Sequence, residues 1–216
     1  MPAPRIAILD YGMGNLRSAE KALERVGAEA ERVADVDAAA GAEGLVVPGV
    51  GAFPEAMRRL RAQGLDRLAR EWVEAERPLL GICLGMQLLF ESSAEYEGAE
   101  GLALLEGEVT PLDAPGLKVP HMGWEPVRWE HPSRFAPALT GEGETPFYFV
   151  HSLAARPADP EVVVGTAEWG ERFAAVVERG PILGAQFHPE KSSAAGLELL
   201  AGFVAACRPA AAVGRP

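Results

Sequence analysis

The sequence predicts one α/β domain of three layers, in which a mostly parallel central sheet carries helices on both faces and antiparallel hairpins extend the second half. Three observations lead to this fold class. Short apolar segments alternate with amphipathic helical segments up to about residue 105, which is typical of parallel sheets. Glycine-rich turns follow the first two apolar segments, at the strand ends where α/β folds bind ligands. Later apolar segments follow one another without long helices between them, which indicates hairpins.

The first half supplies the elements of the parallel sheet. Arg5–Leu9 is apolar enough for a buried strand, and a helix is expected over about residues 16–26. Gly44–Val47 is the next buried strand. The charged amphipathic run over about residues 55–76 predicts a helix that is interrupted near Gly64, because glycine is unfavourable inside a helix.

The second half adds strands and a closing helix. The expected strands cover about residues 124–129, 146–150, 162–168 and 173–178, and the helix covers about residues 192–206. We assign residues 1–206 to a single domain and residues 207–216 to a frayed C-terminal tail. A chain of 216 residues with 48% hydrophobic content can form a substantial core.

Composition restricts the functional classes. The net charge of −11 argues against general nucleic-acid binding. Cys83 and Cys207 are the only two cysteines, so we expect no disulfide framework and a reducing compartment. The sequence predicts neither a signal peptide nor a membrane-spanning segment. We therefore expect a cytoplasmic protein with no nucleic-acid or membrane partner, no cofactor and no metal.

Residues 78–90 combine a buried strand, a sharp bend and the start of a helix. The bend is Gly81-Ile-Cys83-Leu-Gly85, and such an elbow needs small residues because strand and helix pack closely. Its geometry points backbone N–H groups at the sulfur, where they favour a thiolate and stabilise an oxyanion. Cysteine also packs often as a small hydrophobe, so this segment alone leaves nucleophile and packed thiol as equal alternatives.

A second segment supplies a base and its orienting acid. His188-Pro189-Glu190 directly follows the apolar strand Ile182–Phe187. Proline restricts φ, so the carboxylate can bind one ring nitrogen while the other faces a sulfur. A lone histidine at a strand end is more often structural or exposed, but together with Cys83 it predicts a cysteine–histidine–glutamate triad.

A glycine-rich loop follows the strand that ends at Val47. Gly49 and Gly51 let this backbone approach a ligand closely and change peptide orientation. The loop is not a phosphate-binding P-loop, because no Gly-Lys-Ser/Thr follows it. Most such loops are tight turns; beside a cysteine nucleophile, this one is the natural second wall of an oxyanion hole.

These segments resemble the class I, or triad, glutamine amidotransferases, whose fold is flavodoxin-like, over nearly the whole chain. The elbow is similar to the family's nucleophile motif, and His188-Pro-Glu190 is similar to its other two triad members. More narrowly, the elbow and five further segments resemble the subfamily that forms the glutaminase subunit of imidazole glycerol phosphate synthase in histidine biosynthesis. The five segments are residues 10–18, 48–53, 120–124, 148–152 and 186–193.

The resemblance implies that Cys83 attacks the side-chain amide carbon of glutamine while His188 moves protons and Glu190 holds its ring. Ammonia leaves, and water hydrolyses the γ-glutamyl thioester to glutamate. In the family, this subunit forms a heterodimer with a (β/α)8-barrel cyclase, and the ammonia passes to the cyclase. The cyclase then forms imidazole glycerol phosphate and aminoimidazole carboxamide ribotide. The implied oxyanion hole joins the N–H of Leu84 to one from the Val50-Gly51 peptide, after that peptide flips.

The resemblance also implies which residues bind glutamine and the partner. Substrate binding falls to Gly51, Gln87, Glu95, His151 and Ser152, the last two through their backbone. Glu97 competes with Glu95 for the substrate ammonium, and the alternative for Glu95 and Gln87 is an exposed polar side chain. The implied interface residues are Asn15, Met122, Trp124, Tyr148 and Lys191. For Met122 and Trp124, a place in the core is an equal alternative.

Three positions depart from the family pattern. Glu125 stands where asparagine is expected, Leu153 where an aromatic residue is usual, and Trp169 where tyrosine is common.

Three other functions compete with the one that the resemblance implies. A glutaminase subunit of an anthranilate or pyridoxal phosphate synthase is disfavoured by the motifs at residues 120–124 and 186–193. A catalytically silent docking subunit is disfavoured by the complete triad. An α/β-hydrolase is disfavoured because its acid normally precedes the histidine.

Overall fold

The computed structural model describes residues 2–140 and 143–208. The first half contains four strands and four helices, which are β1 (Arg5–Leu9), α1 (Leu16–Arg25), β2 (Glu29–Val33), β3 (Gly44–Val47), α2 (Phe53–Ala62), α3 (Leu65–Glu74), β4 (Leu79–Ile82) and α4 (Leu84–Gln87). The second half is rich in strands and ends in one long helix. Its elements are β5 (Ser92–Ser93), β6 (Ala99–Glu100), β7 (Gly107–Pro111), β8 (His121–Trp129), β9 (Glu144–His151), β10 (Leu153–Pro157), β11 (Val163–Trp169), β12 (Glu171–Arg179), β13 (Ile182–Ala185) and α5 (Ser193–Ala206).

The central sheet has nine strands in the order β2-β1-β3-β4-β13-β12-β11-β8-β9. The strands from β2 to β13 are parallel neighbours, and the remaining pairs are antiparallel. A second sheet of four strands has the order β10-β7-β5-β6. This arrangement agrees with the predicted fold class.

The core lies on both faces of the parallel strands. In β1, Ile6 and Ile8 belong to one buried cluster, together with residues of α1 and α5. Ala7 and Leu9 belong to the other cluster, together with residues of α2 and α3. Because alternate residues of a strand point to opposite faces, β1 is buried on both sides and the domain has three layers.

Several element boundaries differ from the sequence prediction. The run predicted as an interrupted helix forms two helices, with Gly64 between them at φ +70°. The helix after the elbow is only four residues long. Strand β2 was not predicted, because its Glu-Ala-Glu-Arg-Val sequence lies at a sheet edge and is mostly exposed.

The C-terminal part differs from the prediction in one detail. Cys207, placed in the predicted tail, is buried, and its N–H donates to Phe203 O at 3.1 Å. The rest of that tail, from residue 209, lies outside the described residues. Among the helices that the structure describes, none has the length and apolar character needed to cross a membrane.

Candidate active site

Three neighbouring parallel strands bring the predicted catalytic segments to one edge of the sheet. The register pairs Val47 of β3 with Gly81 of β4, and Ile82 of β4 with Ala185 of β13. The glycine-rich loop, Cys83 and the segment leading to His188 follow directly after these strands. Because carboxyl ends of parallel strands share an edge, the sheet itself assembles these segments.

Cys83 occupies a strained bend. Its φ of 54° and ψ of −111° are rare for a residue with a side chain. A Cβ at Gly85 would lie 1.7 Å from Val47 O, and one at Gly81 would lie 2.8 Å from Gly85 O. The two glycines are therefore required by close packing, as the elbow motif predicts.

The Cys83 side chain is buried and lies beside a cavity. Cys83 is 6% exposed. Its Sγ lies 3.6 Å from Val150 O and 3.9 Å from Gln186 Nε2. The burial of the thiol agrees with the packed-thiol alternative. Cys83 also lines the cavity, however, as a nucleophile must and a packed thiol need not.

His188 and Glu190 form a buried pair. His188 Nδ1 lies 2.8 Å from Glu190 Oε1, and each side chain is 3% exposed. Burial lowers the pKa of His188, but hydrogen bonds to Cys83 and Glu190 and the charges of both residues raise it to about 9. With Nδ1 engaged by Glu190, Nε2 is the nitrogen available to the Cys83 sulfur, so the pair is suited to proton transfer.

The expected oxyanion donors are available. Leu84 is the first residue of α4, and Val50 and Gly51 lie in the loop after β3. Within residues 2–140 and 143–208, the backbone N–H groups of these three residues donate to no other protein group. Gly51 has φ +104°, and Val50 is 42% exposed. The Val50-Gly51 peptide can therefore reorient without breaking a protein hydrogen bond among the described residues.

A cavity of about 260 Å³ joins these groups. Glu190 lies behind His188 and does not line it. The predicted catalytic, oxyanion and substrate residues that do line it are Val50, Gly51, Cys83, Leu84, Gln87, Glu95, His151, Ser152 and His188. A larger groove of about 430 Å³ lies beside Glu125 and Trp169 and contains none of these residues.

Glu95 and Glu97 have different surroundings. Glu95 lines the cavity, and its Oε2 accepts the Phe53 N–H at 2.6 Å, at the first residue of α2. Glu97 is exposed and does not line the cavity. The geometry favours Glu95 as the carboxylate that meets a substrate ammonium.

Gln87 is a buried connector rather than the exposed polar side chain of the alternative interpretation. It is 5% exposed, and its Nε2 donates to Leu153 O at 2.9 Å and to Gln186 Oε1 at 3.0 Å. Leu153 contributes its carbonyl here, which a leucine supplies as well as an aromatic residue does. Gln186, which is fully buried, was missed by the sequence analysis although it lies in the quoted 186–193 motif.

Two buried histidines support the cavity wall. His151 Nδ1 lies 2.8 Å from Leu153 O, and His151 Nε2 lies 3.1 Å from His121 Nδ1. Burial lowers the pKa of both histidines to about 4, so both are neutral. His121 stacks on Trp169 with ring centroids 4.3 Å apart, and its Nε2 lies 3.9 Å from Glu125 Oε2. Two of the departures from the family pattern therefore contact this histidine.

The predicted interface residues lie at the surface. Met122 is 60% and Trp124 is 51% exposed, so the core alternative is wrong for both. Trp124 packs edge-on against Tyr148, with ring centroids 6.0 Å apart. Asn15 is exposed, and Lys191 is exposed beside the cavity.

Two further polar residues hold the site and were not singled out from the sequence. The Tyr11 hydroxyl donates to Pro48 O at the base of the glycine-rich loop. Ser192 Oγ donates to His188 O at 2.7 Å and accepts the Tyr148 N–H at 2.9 Å. Tyr11 is 37 positions from Pro48, and Ser192 is 44 positions from Tyr148. A sequence pattern does not reveal contacts over such separations.

Comparison with known proteins assigns the family. Residues 7–207 match the family model described as glutamine amidotransferase class-I. The chain belongs to the class I glutamine amidotransferase family. The family and fold predicted from the motifs are thereby confirmed.

Named relatives are similar in sequence to this class I glutamine amidotransferase over most of their length. A relative from Moorella thermoacetica is 52% identical over 198 residues, which cover 92% of this chain and 93% of the relative. A relative from Mycolicibacterium paratuberculosis is 47% identical over 207 residues, which cover 94% of this chain and 98% of the relative. Both relatives are named imidazole glycerol phosphate synthase subunit HisH.

Solved structures also resemble this class I glutamine amidotransferase. A crystal structure of a glutamine amidotransferase superposes with a TM-score of 0.73 at 26% identity, covering 94% of this chain and 98% of the other. The structure of PurLQS from Thermotoga maritima gives a TM-score of 0.73 at 20% identity, covering 95% and 97%. The second likeness concerns the fold alone.

Proposed function

We propose that this class I glutamine amidotransferase is the glutaminase subunit of an imidazole glycerol phosphate synthase. It hydrolyses glutamine to glutamate and ammonia for histidine biosynthesis. The observation that supports the chemistry is that Cys83 and His188 line the same 260 Å³ cavity while Glu190 engages His188 from behind. The names of the relatives support the choice of synthase.

Catalysis begins with the Cys83 thiolate. It attacks the side-chain amide carbon of glutamine and forms a C–S bond while the carbonyl oxygen takes the negative charge. The His188 imidazolium protonates the amide nitrogen, the C–N bond breaks and ammonia leaves. Neutral His188 then takes a proton from water, whose oxygen attacks the thioester carbon, and breakage of the C–S bond releases glutamate.

The charge state of His188 supports this sequence. With a pKa of about 9, the ring is protonated at neutral pH beside Cys83. A cysteine–imidazolium pair supplies both a strong nucleophile and the acid that the leaving amine needs. Glu190 fixes the ring through Nδ1, which leaves the proton of Nε2 for transfer.

The tetrahedral oxyanion is stabilised by Leu84 N–H and by an N–H from the Val50-Gly51 peptide. These groups have no protein acceptor among the described residues, so they are free to serve a ligand. Such donors lower the barrier when their dipoles are oriented before the charge forms, which for the Val50-Gly51 peptide requires a change of orientation. A flip of the Val50-Gly51 peptide completes the hole.

Glutamine is held by its polar ends. Glu95 binds the α-ammonium through the carboxylate at the cavity wall. Gly51, Gln87 and the backbone of His151 and Ser152 complete the pocket, in which Gln87 acts by fixing the Leu153 carbonyl.

The partner is a (β/α)8-barrel cyclase that receives the ammonia in a heterodimer. Apolar and polar side chains that are exposed or half-buried at the surface are suited to such an interface, because aromatic residues anchor many protein contacts. They are Asn15, Met122, Trp124, Tyr148 and Lys191. Both cysteines are free, and a reactive thiol is compatible with the reducing cytoplasm.

The function is tested by co-purification with a candidate cyclase, followed by glutamine turnover with and without the cyclase ligand. We expect a stable complex, little turnover by the chain alone, and strong turnover once the cyclase ligand is bound. A chain that forms no complex, or that releases no glutamate in one, contradicts the proposal. We expect this dependence because binding of the cyclase and its ligand is proposed to set the orientation of the Val50-Gly51 peptide. Full turnover by the isolated chain would contradict that part of the proposal.

A further inference from the structure

The loop from Pro48 to Ala52 is held at both ends and free in the middle. At its base, the Tyr11 hydroxyl donates to Pro48 O. At its far end, the Phe53 N–H donates to Glu95 Oε2 at 2.6 Å. The N–H groups of Val50 and Gly51 between these anchors donate to no protein acceptor in the described chain. Rotation of a peptide is therefore confined to the middle of the loop.

Tyr11 contacts the glycine-rich loop and belongs to the same buried cluster as Leu84, which supplies the other expected oxyanion donor. It is 1% exposed and follows β1 directly after Asp10. A Cβ at Gly49 would lie 2.7 Å from the Tyr11 hydroxyl and 2.9 Å from Leu84 Cβ. The hydroxyl, the loop and the first residue of α4 are thus packed together, with only a glycine between them.

The Tyr11 hydroxyl is a permanent donor. Burial raises the pKa of Tyr11, and the charge of Cys83 raises it further. The phenol therefore remains protonated at any pH at which the enzyme works, and it can always donate to Pro48 O. Pro48 is itself buried, so without Tyr11 its carbonyl would lose its donor in a place that water reaches poorly.

We propose that Tyr11 is a positioning residue for the oxyanion hole, because its hydroxyl fixes the Pro48–Gly49 peptide against Leu84. This role rests on the proposed glutaminase function. The hydroxyl sets the distance between the Leu84 N–H and the Val50-Gly51 peptide, while Glu95 holds the other end of the loop beside the substrate. Loss of the hydroxyl impairs stabilisation of the tetrahedral intermediate and leaves binding of the substrate amide intact.

Tyr11→Phe tests this role, because it removes one oxygen and retains the buried ring. The matched control is Tyr96→Phe, at a tyrosine that is 82% exposed. Glutamine kcat and KM are measured in the complex with the cyclase. A second measurement uses the γ-aldehyde analogue of glutamine, whose carbonyl accepts the Cys83 thiol to give a thiohemiacetal with its oxygen in the oxyanion position. A third measures glutamine affinity in a Cys83→Ala background.

We expect Tyr11→Phe to lower kcat and aldehyde affinity by at least about 10-fold, less than the roughly 100-fold cost of deleting an oxyanion-hole donor outright. Glutamine affinity in the Cys83→Ala background and all values for Tyr96→Phe should stay unchanged. Unchanged kcat and aldehyde affinity in Tyr11→Phe would overturn the role. Equal losses of aldehyde and glutamine affinity would also overturn it, since they indicate a merely structural tyrosine. A wild-type complex that neither hydrolyses glutamine nor binds the aldehyde would overturn the proposed function itself.

Discussion

Cys83 and His188 follow two strands, β4 and β13, that are parallel neighbours with Ile82 paired to Ala185. The proposed nucleophile and its proposed base are therefore placed by backbone hydrogen bonds of the sheet. Glu190 follows within a single turn that begins at Pro189. The geometry of the proposed triad is thus a direct consequence of strand order and register.

The first prediction concerns the titration of His188. Its pKa is raised from 6.5 to about 9 in the folded protein, so this group contributes stability that is complete below pH 6.5 and is lost as pH rises through 9. We expect NMR to detect titration of His188 in the wild type near pH 9. Glu190→Gln should lower the pKa of His188, and it should reduce kcat by at least about 100-fold. The difference in unfolding free energy between wild type and Glu190→Gln should shrink above pH 9. A difference that grows with pH would contradict the assignment.

The second prediction separates the two acidic candidates for the substrate ammonium. Glu95→Gln should raise KM for glutamine by about 10-fold or more, the cost of losing one charge-assisted hydrogen bond, with kcat little changed. Its amide oxygen can still accept the Phe53 N–H, so the fold should be retained. Glu97→Gln is the matched control and should leave KM unchanged. A reversed result would move the ammonium site to Glu97.

The third prediction concerns the packing of the elbow. Gly85→Ala places a Cβ 1.7 Å from the carbonyl oxygen of Val47, and such overpacking should lower the unfolding free energy by about 3 kcal/mol. Gly116→Ala is the comparison, since its φ of +79° is strained but nothing lies within 4 Å of the added Cβ; it should cost about 1 kcal/mol. Denaturant unfolding measures both. Equal losses would show that packing at the elbow is not decisive.

The fourth prediction concerns the partner surface. Trp124 is 51% exposed, so Trp124→Ala should change the stability of the isolated chain by no more than about 0.5 kcal/mol. The same change should raise the Kd for the cyclase by about 30-fold or more, as expected for an aromatic anchor. Tyr96→Ala removes another exposed aromatic ring and should leave Kd unchanged. An unaltered Kd for Trp124→Ala would exclude it as an anchor.

Much of this arrangement was predictable because it depends on local patterns. Apolar strands such as Gly44–Val47 and the glycines around Cys83 have sequence signatures that reflect burial and close packing. Strand β2 was missed because an exposed edge strand needs no apolar pattern. The two-residue strands β5 and β6 are too short to show any periodicity.

The polar connections of the site were less predictable. Gln186 and Tyr11 act through side-chain hydrogen bonds to residues far away in the chain. Side-chain direction at such positions depends on the completed fold, so composition and spacing carry no signal for it. The exposure of Met122 and Trp124 was likewise undecided, because an apolar residue in a strand suits the core and an interface equally well.

The most direct test of the account compares glutamine-dependent and ammonia-dependent synthesis by the complex of Cys83→Ala with the cyclase. In the proposed mechanism, Cys83 is the nucleophile only for glutamine, whereas added ammonia bypasses this site. We expect glutamine-dependent synthesis to be abolished and ammonia-dependent synthesis to remain nearly intact. Retained glutamine-dependent synthesis, or loss of both activities in a correctly folded and assembled complex, would contradict the central role of Cys83.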